Sequence, residues 1–319
     1  MNKDKKISVV FFGTPEFSLP FLQELAESEK FDIRLVVTQP DRPAGRGKKP
    51  THPPVKKLAA QLLELPCYQP DRIKEQKVID KIKSVRADVG VVVAYGQIIP
   101  PALLDAFPLG VINAHPSLLP KYRGAAPIQR AILAGEEKTG VTIMLLDEGL
   151  DSGPILAQEE IRIAPNETAG SLHDRLATLG SALLRKTLID WASGAIKPVP
   201  QNHSIATYAE PIKKEELNIN WQRRADEIVR TIRAFDPWPG AHTFWQGRRL
   251  KCYGGNIASV QLMGISPGKV VRLTEDGLLI GTGDGNLVSV SSLQLEGRRK
   301  VSAEKFVRGK PNIIGAILG

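Results

Sequence analysis

An amide and an imidazole lie two residues apart in Asn113-Ala114-His115, at the end of an apolar run that begins at Val111. On an extended chain this spacing directs both side chains to the same face. A carboxylate, Asp151, follows in the glycine-punctuated turn 148–153. Beside the imidazole it would favour the charged ring or fix its tautomer. The three side chains therefore predict hydrogen-bonding and proton-transfer chemistry at one small site, although a lone histidine at a strand end can also be structural.

The elements that must position these residues are visible as short Val- and Ile-rich runs alternating with segments of helical spacing. Strands are predicted at 7–12, 32–37, 88–94, 111–114, 139–146 and 155–163, and helices at 16–28, 54–64 and 75–85. A further long helix, for which Asn166 and Thr168 offer caps, is predicted to end near Gly194. Such strands are typical of a parallel sheet buried on both faces. The β-α-β order predicts a doubly wound, mostly parallel, Rossmann-like α/β sheet, and ligands bind at the carboxyl ends of its strands.

A proline-marked stretch, 195–208, separates this part from a second composition. We predict one domain over residues 1–194, a linker over 195–208 and a second domain over 209–319. After a helix at 225–235, the second domain has short strand-like runs separated by glycines. That pattern predicts a small OB-like β-barrel, a fold that can bind oligonucleotides.

The net charge of +9 favours a polyanionic partner. Residues 209–319 carry 17 basic and 11 acidic side chains, so most of the positive excess lies in the last third of the chain. Its basic clusters are Arg248-Arg249 with Lys251, and Arg298-Arg299-Lys300. Phosphate binding is one interpretation of these clusters, and a solvated surface kept for solubility is the other.

Several other functions are disfavoured. The first turn, beginning Gly13-Thr14-Pro15, lacks the second and third glycines that let a backbone approach a dinucleotide, so a nicotinamide cofactor is not expected. The five histidines form no zinc-binding helix pair, and we expect no metal. No apolar run approaches the roughly 20 residues that span a bilayer, and no signal peptide precedes the first strand, which indicates a cytoplasmic protein without a membrane partner.

Three motifs of the first part of the chain can be compared with known enzymes. The run Asn113-x-His115-x-Ser117-Leu118-Leu119-Pro120, the following Tyr122-Arg123-Gly124 and the later Leu150-Asp151-Ser152-Gly153 are similar to the active site of the folate-dependent formyltransferases. The long run from Thr38 to Lys49 resembles the loop that the methionyl-tRNA formyltransferase family carries after its second strand. Phe235-Asp236-Pro237-Trp238-Pro239-Gly240 is also similar to that family. The resemblance covers essentially the whole chain.

By that resemblance, Asn113, His115 and Asp151 are the catalytic residues, and Ser117, Leu118, Leu119 and Pro120 line the site of the formyl donor, 10-formyltetrahydrofolate. The acceptor that the resemblance implies is the α-amine of methionine on initiator methionyl-tRNA. The tRNA is expected to contact basic residues of the loop and the second domain: Arg42, Arg46, Lys48, Lys49, Arg248, Arg249, Lys251, Arg298, Arg299 and Lys300. We expect the enzyme to act as a monomer.

Three alternatives remain open. A formyltransferase for a small-molecule amine, such as a purine precursor or a sugar nucleotide, would share the folate site but would need neither the basic loop nor the barrel. A folate hydrolase would need no amine acceptor. A non-catalytic RNA-binding protein would need the barrel but not Asn113, His115 and Asp151.

Overall fold

The computed structural model of the chain describes residues 5–44, 49–260, 262 and 264–319. Its strands in chain order are β1 Ile7–Gly13, β2 Phe31–Val37, β3 Arg42–Ala44, β4 Lys49–Thr51, β5 Cys67–Tyr68, β6 Val89–Val93, β7 Val111–His115, β8 Arg123–Gly124, β9 Lys138–Leu145, β10 Ile155–Arg162, β11 Tyr208–Ala209, β12 His242–Trp245, β13 Arg248–Ile257, β14 Val270–Thr274, β15 Gly277–Gly281, β16 Leu287–Leu295 and β17 Val301–Ser302. The α-helices are α1 Leu19–Ala26, α2 Pro54–Lys57, α3 Gln76–Ser84, α4 Pro101–Leu104, α5 Pro127–Ala134, α6 Ala169–Ala192, α7 Ala225–Ala234 and α8 Ala303–Gly309.

The first sheet has seven strands in the order β10-β9-β7-β6-β1-β2-β5. The pairs β1–β2, β1–β6, β6–β7 and β2–β5 are parallel, whereas β9 runs antiparallel to β7. Every residue of β1, β6 and β7 is buried, as the continuous Val and Ile runs require when helices cover both faces. The predicted doubly wound, mostly parallel sheet is confirmed.

Two helices differ from the prediction by more than a few residues or by a change of helix type. The helix expected at 16–28 begins as a short 3-10 turn, Glu16–Ser18, and becomes α1 only at Leu19. Pro20 explains the late start, because proline has no N–H and fits an α-helix without cost only in its first turn. The helix expected at 54–64 divides into α2 and a π-helical turn at Leu58–Leu62.

The second sheet is antiparallel and follows the path β12-β13-β16-β15-β14, with β17 paired to β16. It curls into a half-barrel, which agrees with the predicted β-barrel class of the C-terminal part. In β13 the buried residues are Leu250, Cys252, Tyr253 and Gly255, and β16 begins with four consecutive buried residues, so this sheet is covered on both faces over part of its length.

Contacts between Cα atoms divide the chain into two compact units. The first contains residues 1–124, 139–161 and 173–208, and the second contains 125–138, 162–172 and 209–319. The contiguous domain boundaries expected from the sequence stay a prediction. Within the second unit, Arg130 Nη2 donates to Glu216 Oε1 at 3.0 Å, so a helix from the middle of the sequence is tied to the C-terminal part. None of the described helices is long and apolar enough to cross a membrane.

Candidate active site

The three polar side chains singled out by the sequence meet at the carboxyl end of β7. Asn113 and His115 are 8% and 4% exposed, and they lie on the same strand two residues apart. Asn113 Nδ2 lies 3.5 Å from Asp151 Oδ1, and His115 Nδ1 lies 3.5 Å from Asp151 Oδ2. The structure therefore brings the predicted amide, imidazole and carboxylate into one cluster, with the carboxylate between the other two.

The two ring nitrogens of His115 face different oxygen atoms. Nε2 lies 2.9 Å from the main-chain oxygen of Tyr122, and a carbonyl oxygen only accepts, so Nε2 carries a proton. Nδ1 faces the Asp151 carboxylate, which is favourable when Nδ1 carries a proton as well. Both ring nitrogens of His115 therefore face oxygen atoms, one of the main chain and one of the Asp151 carboxylate.

The turn that carries Asp151 is tightly built. Asp151 itself has φ of +49°, in the left-handed region that non-glycine residues seldom adopt. Position 153 has no room for a side chain other than that of glycine, because a Cβ there would lie 1.9 Å from the main-chain oxygen of Leu145. The Asp147 carboxylate accepts a hydrogen bond from the Gly149 N–H at 3.0 Å and organises the outer side of the turn. Asp147 was missed by the sequence interpretation, although an Asp preceding a glycine turn is a recognisable signal.

The segment after His115 folds back on itself. The Ser117 hydroxyl donates to the main-chain oxygen of Lys121 at 2.6 Å, and Thr142 Oγ1 donates to the Ser117 main-chain oxygen at 2.7 Å. Ser117 and Leu119 are buried, whereas Leu118 and Pro120 are half-buried. Because the serine hydroxyl already has a protein acceptor, it shapes this segment, and the assignment of all four residues to the formyl-donor site stays a prediction.

Tyr122, Arg123 and Gly124 each hold a different part of the cluster. The Tyr122 main-chain oxygen accepts from His115, and the Gly124 N–H donates to Asp151 Oδ2 at 2.8 Å. Arg123 is buried, with 3% exposed, and its guanidinium donates to Gln201. The motif was recognised in the sequence as part of the resemblance, but these separate contacts had no local signal.

The basic loop after β2 contains a short hairpin, in which β3 and β4 pair antiparallel. Its base is held by Asp41, whose carboxylate accepts from Gln69 Nε2 at 2.7 Å and Lys56 Nζ at 2.8 Å and lies 2.7 Å from His52 Nδ1. The hydrogen bond from Gln69, followed by that from Lys56, lowers the pKa of Asp41 to about 2. The Asp41 carboxylate, which holds the base of the hairpin, therefore stays charged well into the acidic pH range.

Of the four loop residues expected to contact tRNA, the structure describes two, Arg42 and Lys49. Arg42 is exposed at the start of β3, and Lys49 begins β4. Arg46 and Lys48 lie outside the residues that the structure describes.

The two basic clusters of the second sheet come together. The Glu296 N–H donates to the Arg249 main-chain oxygen at 2.9 Å, so the turn after β16 lies beside the start of β13. Arg298 and Arg299 are exposed there. Arg248 donates to the Glu296 main-chain oxygen, and Lys251 Nζ donates to the Pro239 main-chain oxygen at 2.6 Å. Lys300 Nζ lies 3.8 Å from Asp236 Oδ1. The six basic side chains of these two clusters therefore differ in how far they are already engaged with other groups of the protein.

Metal-binding side chains do not cluster in the part of the chain that the structure describes, where no group of three or more His, Cys, Asp or Glu could hold an ion. The donor set at Asn113, His115 and Asp151 is instead suited to acyl transfer, because it combines hydrogen-bond donors for an oxyanion with a carboxylate that can take a proton.

Comparison with known proteins places this arrangement in a family. The Formyl transferase family profile matches residues 5–188, and the profile of the Formyl transferase C-terminal domain matches residues 211–311. The methionyl-tRNA formyltransferase of Pelotomaculum thermopropionicum is 46% identical over 311 residues, covering 98% of each chain. That of Syntrophus aciditrophicus is 44% identical over 314 residues, covering 98% of this chain and 99% of the relative. The chain belongs to the methionyl-tRNA formyltransferase family.

The family resemblance predicted from the motifs is confirmed by this match, and so is the class of formyl-transferring enzyme. Among solved structures, HypX from Aquifex aeolicus in complex with tetrahydrofolic acid has a TM-score of 0.65 at 18% identity, over 95% of this chain and 47% of that chain. At 18% identity this similarity shows a shared fold and nothing further. The formyltransferase family supports a folate-derived formyl donor for this chain.

Proposed function

We propose that this chain transfers the formyl group of 10-formyltetrahydrofolate to the α-amino group of methionine on initiator methionyl-tRNA. The proposal rests on one observation above all: Asn113 and His115 both lie 3.5 Å from Asp151 in a chain of this family. Because the acceptor is a charged tRNA, we place the reaction in the cytoplasm, and we propose that the enzyme acts as a monomer.

The proposed reaction begins with a proton-transfer problem. A free α-amine has a pKa of about 8 and is largely protonated near pH 7, although esterification to tRNA lowers that value. The amine must lose a proton to attack the formyl carbon, and the departing folate nitrogen must gain one. Asp151, whose side chain is 14% exposed, is the group proposed to take the amine proton, directly or through a water molecule, and to pass it to the departing folate nitrogen.

Attack on the formyl carbon places negative charge on its oxygen. Asn113 Nδ2 is the hydrogen-bond donor proposed for that oxyanion, and one preorganised donor is typically worth about 3 kcal/mol. Both ring nitrogens of His115 already face oxygen atoms of Tyr122 and Asp151, so its proposed contribution is the positive charge of a protonated ring close to the oxyanion. The Asp151 carboxylate lies 3.5 Å from His115 Nδ1, where it would attract the positive charge proposed for the ring. Burial of Asn113 and His115 strengthens these interactions, because competing water is excluded from the strand end.

The proposed tRNA surface combines the exposed Arg298 and Arg299 with Arg248 and Arg249 on the second sheet. Guanidinium groups bind phosphate bidentately, and such contacts are independent of base sequence. A groove of about 950 Å³ in the same unit is lined by Arg249 and Lys251 and by the aromatic ring of Trp238, which is 78% exposed. An exposed indole beside cationic side chains suits an unpaired base of the tRNA.

A direct assay tests the proposed function. The protein is incubated with formyl-labelled 10-formyltetrahydrofolate and, in parallel, with charged initiator tRNA, charged elongator methionyl-tRNA and small-molecule amines. We expect label on the initiator methionine in preference to the other acceptors. Label on a purine-precursor or sugar amine would instead support a small-molecule formyltransferase, and release of free formate without an acceptor would support a hydrolase.

Arg46 is expected to place the acceptor end of the tRNA, because the flanking Gly45 and Gly47 let the backbone approach RNA and its guanidinium can pair with phosphate. Arg46→Ala should lower kcat/KM for methionyl-tRNA about ten- to a hundredfold, since a charge-assisted contact is worth roughly 1.5 to 3 kcal/mol. Arg46→Lys, the matched variant, should recover only part of that loss. Steady-state kinetics with each substrate varied in turn, together with direct folate binding, provides the measurement. Equal losses for both substrates would mean that the loop shapes the whole pocket.

A further inference from the structure

Gln201 lies within the 195–208 stretch, yet only 6% of the residue is exposed. Its side-chain oxygen accepts two hydrogen bonds from the guanidinium of Arg123, at 3.1 Å from Nε and 2.6 Å from Nη2. Its side-chain nitrogen donates to the main-chain oxygens of Asp151 and Gly153, at 2.9 and 2.7 Å. One buried amide therefore joins Arg123 to the turn that carries the active-site carboxylate.

The orientation of this amide follows from its neighbours. A guanidinium only donates hydrogen bonds and a main-chain oxygen only accepts them, so the oxygen must face Arg123 and the nitrogen must face Asp151 and Gly153. A side chain that accepts on one side and donates on the other is required. Glutamine has both functions, whereas glutamate has only acceptors when ionised.

The contact falls where the backbone needs support. Asp151 has φ of +49°, a conformation that persists in a non-glycine residue only when its surroundings hold it. Gln201 donates to the main-chain oxygen of that same residue. On the outer side, the Asp147 carboxylate accepts from the Ser152 hydroxyl at 2.8 Å. The turn is thus held from both sides, and Gln201 provides the inner support.

We propose that Gln201 is a positioning residue that fixes the Asp151 turn, so that the carboxylate stays against the Gly124 N–H and the His115 ring. A displacement of this turn moves Asp151 Oδ2 away from His115 Nδ1, 3.5 Å distant, and from the Gly124 nitrogen, 2.8 Å distant. Misplacement of a reacting group by about 1 Å can cost on the order of a hundredfold in rate. The stretch between the two predicted domains therefore contributes to catalysis and is more than a spacer. The inference rests on the proposed function for its kinetic readout.

Two substitutions separate positioning from plain structural support. Gln201→Glu keeps an acceptor for Arg123, and indeed gives that guanidinium an ionic partner, but sets a carboxylate oxygen against two main-chain oxygens. Gln201→Leu removes both functions. We expect Gln201→Glu to fold, with a thermal unfolding midpoint close to the original, and to lose about ten- to a hundredfold in kcat while both KM values change little. Asn202→Ala, which alters the exposed neighbour, is the matched control and should retain full activity.

A double-mutant cycle ties the effect to the carboxylate. If Gln201 acts through Asp151, adding Gln201→Glu to Asp151→Asn should cost little further rate, because the proton acceptor is already lost. A fully additive loss would overturn the proposal. So would normal turnover in a well-folded Gln201→Glu variant, or a loss of rate that merely follows a loss of folded protein.

A substrate-free measurement keeps this test separate from that of the proposed function. The ring ¹⁵N signals of His115 are assigned among the five histidines by comparison with His115→Gln. They should move in Gln201→Glu and stay in place in Asn202→Ala, because Asp151 leaves the ring only in the former. Unmoved signals would overturn the positioning role whatever the substrate. If the signals move but the protein formylates no charged tRNA, the positioning role of Gln201 stands and only the proposed function is rejected.

Discussion

Asp151→Asn should lower kcat for formyl transfer about a hundred- to ten-thousandfold, the usual contribution of a general acid–base group. Asparagine nearly preserves the shape of the side chain and can still accept from the Gly124 N–H, now 2.8 Å from Oδ2. It can neither take a proton from the amine nor stabilise a charged His115. The measurement is single-turnover formyl transfer at saturating concentrations of both substrates, alongside thermal unfolding to confirm that the variant is folded.

Two comparisons give that result its meaning. Asp174→Asn, at a side chain that is 84% exposed, is the matched control and should have no effect on rate. Asn113→Ala and His115→Ala should each be severe, but the three substitutions together should cost far less than the product of the single losses, because residues that act as a unit are non-additive. Near-normal turnover of folded Asp151→Asn would show that the proton goes elsewhere.

The affinity for tRNA should fall about a thousandfold or more between 50 and 200 mM salt if six or more phosphates are neutralised, because each contact releases condensed counterions. Replacing Arg298 and Arg299 together by glutamine should reduce the slope of log affinity against log salt concentration by about 2, or roughly 1 for each phosphate contact. These two side chains are chosen because they are exposed at the meeting point of the basic clusters. Binding is measured by titration of labelled tRNA at several salt concentrations.

The full-length chain is the right material for this experiment. A truncation after residue 200 would remove Gln201 and with it a contact to Asp151, so the loss of tRNA binding could not be separated from damage to the active site. Arg34→Gln, in the first sheet and paired with Asp32, is the matched control and should leave the slope unchanged. Binding of formyl-folate should be unaffected in both variants. An unaltered slope without Arg298 and Arg299 would mean that the tRNA phosphates lie elsewhere.

Much of the fold was predictable because local patterns decide it. Continuous Val and Ile runs identify β1, β6 and β7 wherever a strand must be apolar on both faces. The Asn113 and His115 pair was predictable for a similar reason, since a two-residue spacing on a strand fixes a common face. The antiparallel direction of β9 could not be inferred from the sequence. Strand direction depends on the edge of the sheet at which the chain enters the strand, and the amino-acid composition of the strand does not record it.

The supports of the site were invisible for a different reason. Gln201 contacts Arg123 and Asp151 across sequence separations of 78 and 50 residues, and a lone glutamine in a proline-rich stretch has no periodicity to interpret. Asp41 was part of a motif recognised as a whole, but its role in tying the hairpin to Lys56 and Gln69 emerges only from the folded chain. Local sequence patterns therefore identify the reacting residues more easily than the residues that position them.

The discontinuous second unit has a consequence for synthesis on the ribosome. Helix α5 is made early, yet its Ile128 and Ile132 are 6% and 2% exposed in the finished protein, where α5 packs against α7. Helix α7 ends at Ala234, so about a hundred residues must still be translated before the partner exists. Translation adds about 5 to 20 residues per second, which leaves this apolar face uncovered for several seconds in every nascent chain. Chaperone demand should thus peak while the middle of the chain is emerging and fall once α7 has left the exit tunnel.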